Sequence, residues 1–120
     1  MSDQVNLHCH SEGSFLDGYA TVEDIASRAI ELGQRAIALT DHGECSQHFA
    51  FQKACQKYDI HPVFGMEGYW THSIPEAKKH KRFSAAPVSH ICLLAKDQRG
   101  LANLWAWSSV AYDRQHHWYN

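Results

Sequence analysis

The sequence predicts an α/β fold in which short buried strands alternate with amphipathic helices. Short apolar runs recur along the chain, and several are followed by segments whose apolar residues repeat about every three to four positions. The order is strand, helix, strand, helix, strand, a long polar connection, and then a further strand and helix. That order is typical of a parallel sheet or a barrel. A chain of 120 residues has room for one domain at most.

The first part of the chain holds two predicted strands and the helix between them. Residues 5–9 alternate in polarity, as the two faces of a strand do. Thr21 is expected to cap the first helix and Gly33 to end it. The apolar stripe of that helix comprises Val22, Ile25, Ala26, Ala29 and Ile30. Residues 36–40 form a continuous apolar run, as expected of a strand buried on both faces.

The second part repeats this alternation around a polar connection. Ser46 is expected to cap a second helix. The stripe of that helix comprises Ala50, Ala54, Cys55 and Tyr58. Strands are predicted at residues 62–67 and 88–95, separated by a polar connection over residues 70–87. Asp97 is expected to cap the last helix. Its apolar side comprises Leu101, Leu104, Trp105 and Ser108.

The charge distribution limits how the chain could contact nucleic acid. A formal net charge of −2 gives the whole chain no electrostatic footprint, so any contact has to be local. The polar connection concentrates four basic residues: Lys78, Lys79, Lys81 and Arg82. We expect residues 71–87 to form an exposed, mobile loop. Its basic side chains are either simply solvated or release counterions from a bound phosphate backbone.

The cysteine pattern indicates a reducing compartment. None of the four cysteines forms a C-x-x-C pair. Cys9, Cys55 and Cys92 lie within apolar patterns, where a free thiol behaves as a small hydrophobe, so we expect all three to be buried and not to bind metal. The N-terminus does not resemble a signal peptide, and no apolar run has the length of a membrane span. A cytoplasmic chain is expected.

Histidine and acidic residues stand at the ends of the predicted strands. His8 and His10 are two positions apart on one strand and therefore share a face. Asp17 lies in the loop that follows, His42 directly follows the second strand, and Glu67 ends the third. Because the carboxyl ends of parallel strands meet at one edge, we expect these side chains to converge on a metal site. Mixed histidine and carboxylate ligands suit Zn²⁺, Mn²⁺ or Fe²⁺ better than Ca²⁺.

Other chemistries fit the sequence poorly. Residues 13–18 have the G-x-x-x-x-G spacing of a phosphate loop, but Tyr19 and Ala20 stand where Lys and Ser or Thr are required. The sequence contains neither a G-x-G-x-x-G pattern nor a G-x-S-x-G nucleophile elbow. Asp41 beside His42 could orient a general base, but no serine or cysteine is obviously presented to it. We therefore expect Asp41 to support a metal ligand.

Four segments together resemble successive motifs of one known domain family. They are "LHCHSEGSFLDG", "AIALTDHG", "HPVFGMEGYW" and "HICLLAKDQRGLANL". They resemble the polymerase-and-histidinol-phosphatase (PHP) domain. Their order, their spacing and the FLDG and PVFG-x-E-x-Y elements are similar to the version at the N-terminus of the bacterial DNA polymerase III alpha subunit. The resemblance runs from about residue 7 to residue 112.

The resemblance implies a distorted (β/α)₇ barrel that holds up to three divalent metal ions, Zn or Mn, with Fe as a further option. It assigns ligand roles to His8, His10, Asp17, His42, Glu67 and His90. His90 has this support alone, because it stands near the beginning of its apolar run. The family pattern places further ligands in a second half of the domain. Residues 1–120 are therefore expected to be the N-terminal portion of a PHP domain, with the polymerase core domains outside this chain.

The resemblance also implies a function. In the intact protein the domain would be a metal-dependent phosphoesterase and a 3′–5′ proofreading exonuclease, and the parent protein a DNA polymerase. Its partners would be DNA, the downstream polymerase domains and a separate proofreading subunit. The alternatives are a stand-alone phosphatase of the histidinol-phosphate type and a non-catalytic scaffold that docks the proofreading subunit. By themselves, residues 1–120 are expected to bind metal weakly and to show little nuclease activity.

Overall fold

A computed structural model describes residues 4–80 and 86–113 of the chain. In chain order, its elements are α1 (Val22–Glu31), β1 (Ala36–Leu39), α2 (His48–Lys57), β2 (His61–Trp70), α3 (Ile74–Ala77), β3 (Ser89–Leu94) and α4 (Gln98–Ala111). The three strands form one sheet in the order β1-β2-β3. Strand β1 runs parallel to β2, and β3 runs antiparallel to it. The predicted α/β class is confirmed.

Helix α1 follows the sequence pattern closely. The Thr21 hydroxyl accepts a hydrogen bond from the Asp24 N–H at 3.1 Å, and the Asp24 carboxylate accepts one from the Thr21 N–H at 3.2 Å. Gly33 follows the helix with a φ of 70°, a conformation that glycine adopts without strain. The predicted stripe is buried except for Ile30, which is 41% exposed. The cap and the end of α1 are therefore as predicted.

The main core lies between α1, α2 and β1. Phe51 and Cys55 of α2 are fully buried there with Leu39 of β1. The predicted start and face of α2 were partly wrong. The helix begins after Gln47, without a side-chain cap, so Ser46 is not its N-cap. Ala50 is exposed and its neighbour Phe51 is buried instead, because the aromatic ring removes far more apolar surface from water.

The first predicted strand lies along β1 but does not form a regular ladder with it. Ala38 donates its N–H to the Asn6 carbonyl at 2.9 Å, and Thr40 donates to the Cys9 carbonyl at 2.8 Å. The two acceptors, Asn6 and Cys9, are three positions apart, whereas the two donors on the β1 side are only two apart. One extra residue in the first segment therefore interrupts the pairing. The Asn6 side chain accepts the His8 N–H at 3.1 Å, in competition with the ladder. This interruption falls directly at the two neighbouring histidines.

Strand β3 runs opposite to the predicted direction. It pairs with β2 so that Glu67 lies opposite Cys92 and Tyr69 lies opposite His90. The beginning of β3 therefore lies beside the carboxyl end of β2. This explains how His90, near the start of its run, reaches the edge of the sheet where the other predicted ligands lie. Most of β3 is exposed, including Cys92, so the prediction that Cys92 is buried was wrong.

The polar connection contains a helical turn and is not simply a loop. Ser73 caps α3 by accepting the Glu76 N–H at 3.3 Å, and Ala77 is fully buried. Lys79 pairs with Glu76 at 2.5 Å, and Lys78 follows the last residue of α3. The prediction of an irregular loop was therefore wrong at residues 74–77. Lys81 and Arg82 lie outside the described residues.

His48 joins α2 to β2 and α4 in the interior. Its Nε2–H donates to the Gly65 carbonyl at 2.8 Å, and its Nδ1 accepts from the Trp105 indole N–H at 3.0 Å. This pattern requires the neutral ring, because a proton on Nδ1 would face another donor. Burial lowers the pKa of His48, although the hydrogen bond to Gly65 opposes the shift.

Within the described residues, no helix combines the length and hydropathy needed to cross a membrane.

We expect the stability of the protein to fall as the pH drops from about 7.5 to about 5.5, with part of the loss due to His48. Because the folded pKa lies below the ordinary value of 6.5, the folded state binds fewer protons than the unfolded state. The contribution of His48 to the stability of the folded state is complete above pH 6.5 and is lost as the pH falls towards the folded pKa. Urea titrations across this pH range should show that the free energy of unfolding depends less steeply on pH in His48→Gln than in the wild type. The exposed control His61→Gln should follow the wild type, and parallel curves for all three would contradict the prediction.

Candidate metal centre

Two imidazoles and one carboxylate converge at the centre of the site. Glu67 Oε2 lies 2.7 Å from His8 Nε2 and 2.6 Å from His10 Nε2. The two Nε2 atoms are 3.1 Å apart. Glu67 is 4% exposed, whereas the His8 side chain is 56% exposed. The cluster is thus anchored by a buried carboxylate and open to solvent on the His8 side.

The remaining predicted ligands surround this centre. Asp17 Oδ2 contacts His10 Nδ1 and lies 3.4 Å from His42 Nε2. His42 Nε2 is also 3.6 Å from Glu67 Oε2. On the other side, His90 Nδ1 is 3.0 Å from Glu67 Oε1. The structure therefore brings all six predicted ligands into one cluster, and their binding of a metal stays a prediction.

The donor set of this cluster suits divalent metal ions. If the Nε2 atoms of His8 and His10 both donated to Glu67 Oε2, their hydrogens would be forced close together. If instead both Nε2 lone pairs pointed at a shared cation, this repulsion between hydrogens would be absent. Ligand atoms around a tetrahedral zinc, with bonds of about 2.0–2.1 Å, are about 3.3 Å apart. The two Nε2 atoms, 3.1 Å apart, are close to that spacing, whereas Glu67 Oε2, at 2.7 and 2.6 Å from them, would have to move outward by about 0.6 Å. Three groups, each with ligand atoms within 4.8 Å of one another, overlap in the cluster. They are His8, Glu67 and Cys92; His10, Asp17 and His42; and His42, Glu67 and His90.

Both carboxylates are held in the ionised form that a metal ligand requires. Burial would raise the pKa of Glu67, but the hydrogen bond from His8 and the charge of His42 outweigh it, and the pKa lies below its ordinary value. Burial would likewise raise the pKa of Asp17. The hydrogen bond from Ser14 and the charge of His10 reverse that effect and lower it.

Asp41 holds two ligand-bearing segments together. It is 2% exposed and accepts hydrogen bonds from the Ser11 N–H at 2.6 Å and the Ser11 hydroxyl at 2.7 Å. Its backbone carbonyl accepts the Glu67 N–H at 3.0 Å. Asp41 was expected to support a metal ligand, and its observed partner is the residue after His10. Its influence on metal binding stays a prediction.

Ser14 was not identified from the sequence. It is fully buried, donates its hydroxyl to Asp17 Oδ2 at 3.0 Å, and accepts the His42 N–H at 3.2 Å. It therefore orients two predicted ligands at once. Serine is common in polar loops, so its residue type gave no signal for this role.

Tyr69 was also missed. Its ring stacks on His42 with centroids 5.9 Å apart, and its hydroxyl lies 3.5 Å from His42 Nδ1. It also makes an edge-to-face contact with His90 at 5.0 Å. Its spacing in the sequence could have indicated this position. Residues two apart on a strand share a face, and Tyr69 follows Glu67 by two.

The fold and the cluster define a class of protein: an α/β domain with a histidine- and carboxylate-rich centre at one edge of its sheet. The family model of the PHP domain matches residues 6–120, and the chain belongs to that family. The resemblance read from the sequence motifs is confirmed.

The chain is similar to subunits of bacterial replicative polymerases. It is 35% identical over 114 residues to the DNA polymerase III subunit alpha of Aquifex aeolicus, covering 92% of this chain and 10% of that protein. It is 39% identical over 108 residues to the corresponding subunit of Chlamydia trachomatis, covering 90% and 9%. The chain therefore spans about a tenth of the length of the curated relatives it matches.

Two solved structures share the fold. One is a putative metal-dependent phosphoesterase from Bifidobacterium adolescentis, with a TM-score of 0.63, 15% identity, and coverage of 92% of this chain and 34% of that one. The other is an amidohydrolase from Chromobacterium violaceum with bound sulfate, with a TM-score of 0.59, 24% identity, and coverage of 85% and 32%. The chain matches about a third of each, which is consistent with part of a PHP barrel.

Proposed function

We propose that this chain is the N-terminal portion of the PHP domain of a cytoplasmic DNA polymerase III alpha subunit. We further propose that the domain is a metal-dependent phosphoesterase that removes mispaired nucleotides as a 3′–5′ exonuclease. The observation that carries the proposal is the convergence of four histidines on Glu67, with Asp17 beside His10 and His42. The polymerase relatives and the phosphoesterase neighbour support the same conclusion.

The chain's own residues have separable roles in this proposal. The two oxygens of Glu67 face opposite sides of the cluster, Oε2 towards His8 and His10 and Oε1 towards His90. Glu67 would therefore offer one carboxylate oxygen to each side of a divalent metal centre, Zn²⁺ or Mn²⁺. Divalent ions held there would clamp phosphate oxygens and lower the pKa of a water molecule towards neutrality. Their charge would offset the repulsion between phosphate and a chain whose net charge is −2.

The geometry also supports one direction of approach for the proposed substrate. The Glu67 side of the cluster is buried, while His8 and Tyr69 are about half exposed, so a phosphodiester would enter past these two side chains. Tyr69 lies against His42 and holds that imidazole in place for its ligand role. The Asp41–Ser11 pair keeps the segment carrying His8 and His10 fixed during this approach.

The test is a nuclease assay on the full polypeptide that carries these residues, stripped of metal and reloaded with Zn²⁺ or Mn²⁺. We expect metal-dependent release of nucleotides from a mispaired primer end, lost in His10→Gln and kept in the exposed control His61→Gln. Cleavage of small phosphate monoesters without release of nucleotides would favour the phosphatase of the histidinol-phosphate type. Bound metal with neither activity would favour the scaffold that docks a proofreading subunit. Either outcome would overturn the exonuclease proposal.

The basic residues of the polar connection are proposed to contact the DNA backbone locally. Changing Lys78, Lys79, Lys81 and Arg82 to glutamine should weaken binding to single-stranded DNA. The slope of log affinity against log salt is negative, and its magnitude should decrease by about 0.7 for each phosphate that the variant no longer neutralises. Lys53→Gln on α2 serves as a matched control, expected to leave the slope unchanged. An unchanged slope in the fourfold variant would leave only the solvated interpretation.

A further inference from the structure

Cys92 is a chemically distinct group at the edge of the metal centre. It lies directly opposite Glu67 in the antiparallel pair of β2 and β3, and side chains at opposite positions of such a pair share a face. His90 precedes it by two residues and therefore lies on the same face. The apolar pattern predicted that Cys92 does not bind metal, and neither the strand-end pattern nor the family resemblance assigns it a role.

Three different donor types meet at this point. The His8 ring nitrogen, a Glu67 carboxylate oxygen and the Cys92 sulfur all lie within 4.8 Å of one another. Around a tetrahedral zinc, with Zn–S of about 2.3 Å and Zn–N of about 2.0–2.1 Å, such atoms are about 3.3–3.6 Å apart. Movements of about 1 Å close the difference. His8 and Cys92 are exposed and can make these movements while Glu67 stays fixed, with Cys92 giving up a hydrogen bond to the buried Thr40.

We propose that Cys92 is a thiolate ligand in a metal subsite shared with His8 and Glu67. This inference rests on the proposed metal centre and specifies one of its subsites. The other two groups of the cluster contain only nitrogen and oxygen donors, which suit Zn²⁺ and Mn²⁺ alike. A thiolate is a soft donor that favours Zn²⁺ strongly, so the Cys92 subsite selects Zn²⁺ over Mn²⁺.

The experiment uses Co²⁺ as a spectroscopic probe for the zinc site in the full polypeptide that carries these residues. Cobalt bound by a thiolate gives a near-ultraviolet charge-transfer band. Cobalt bound by nitrogen and oxygen donors gives only visible d–d bands. We expect the wild type to show both features, Cys92→Ser to lose the near-ultraviolet band and keep the visible bands, and Cys45→Ser to keep both. Cys45 is a partly buried thiol outside the three ligand groups, which makes it the matched control.

A second measurement tests whether the Cys92 subsite selects Zn²⁺ over Mn²⁺. Competition titrations should show that Cys92→Ser lowers Zn²⁺ affinity about 10–100-fold and changes Mn²⁺ affinity little. Cys92→Ala should behave in the same way, which separates a missing metal ligand from an altered hydrogen bond. A near-ultraviolet band that survives in both variants, or that is absent in a wild type with visible bands, would overturn the role of Cys92 alone. Complete absence of cobalt bands in the wild type would overturn the metal centre as well.

Discussion

Replacing Glu67 with glutamine is expected to lower the affinity for Zn²⁺ by about 100-fold or more, since loss of a residue that merely supports a ligand already costs about 10–100-fold. Glu67 is the only predicted ligand that contacts His8, His10, His42 and His90. Glutamine keeps the size of the side chain but removes its charge and one of its two acceptor oxygens. The neutral amide can therefore neither offer a carboxylate oxygen to each side of the metal centre nor balance the charge of a bound ion.

Equilibrium dialysis against Zn²⁺ of the metal-stripped full polypeptide that carries these residues measures this effect directly. Glu76→Gln is the matched control, because Glu76 is an exposed glutamate in α3 that pairs only with Lys79 among the ion pairs of the described residues. We expect the control to bind as the wild type does. Near-equal affinities for Glu67→Gln and the wild type would show that the cluster is not the metal site.

Replacing Gly18 with alanine is expected to destabilise the protein by about 3 kcal/mol or more. A methyl group on Gly18 would lie 1.7 Å from the Ser11 backbone oxygen, far inside van der Waals contact. Ser11 cannot easily move away, because the buried Asp41 fixes it through two hydrogen bonds. The loop that carries Asp17 would have to open, so metal affinity should fall with stability.

A second glycine provides a control with the opposite sign. Gly100 lies inside α4, and the atoms nearest to an added methyl group are 3.5 Å away, an ordinary contact. Gly100→Ala should therefore stabilise the protein by about 0.5–1 kcal/mol through helix propensity. Urea denaturation of both variants measures the two effects. A Gly18→Ala variant as stable as the wild type would contradict the tight approach of the two loop segments.

The sequence was sufficient where the local pattern and the fold agree. The cap and stripe of α1 and the fully apolar β1 were correct because each depends on short-range periodicity. The clustering of His8, His42 and Glu67 followed from the rule that the carboxyl ends of parallel strands share an edge. These predictions did not depend on the conformation of the segments that connect the strands and helices.

Long-range features could not be obtained in this way. Periodicity is the same for parallel and antiparallel strands, so the direction of β3, and with it the position of His90, depends on the connection that precedes it. For the same reason Cys92 was assigned to the core, although β3 presents it at the edge of the metal centre. A supporting role was predicted for Asp41, but its partner Ser11 and the role of Ser14 beside His42 depend on contacts between loops distant in sequence, which no local pattern encodes.

The crowded contacts around Glu67 have a consequence for protons. A histidine that donates its Nε2 proton to Glu67 Oε2 has no lone pair on that nitrogen for an ion. An ion can therefore be bound only by the tautomer whose proton is on Nδ1, and in His10 that proton faces the Asp17 carboxylate. Metal loading should thus select this tautomer in both rings. Nitrogen-15 chemical shifts of the two imidazoles, measured with and without Zn²⁺, would reveal the rearrangement.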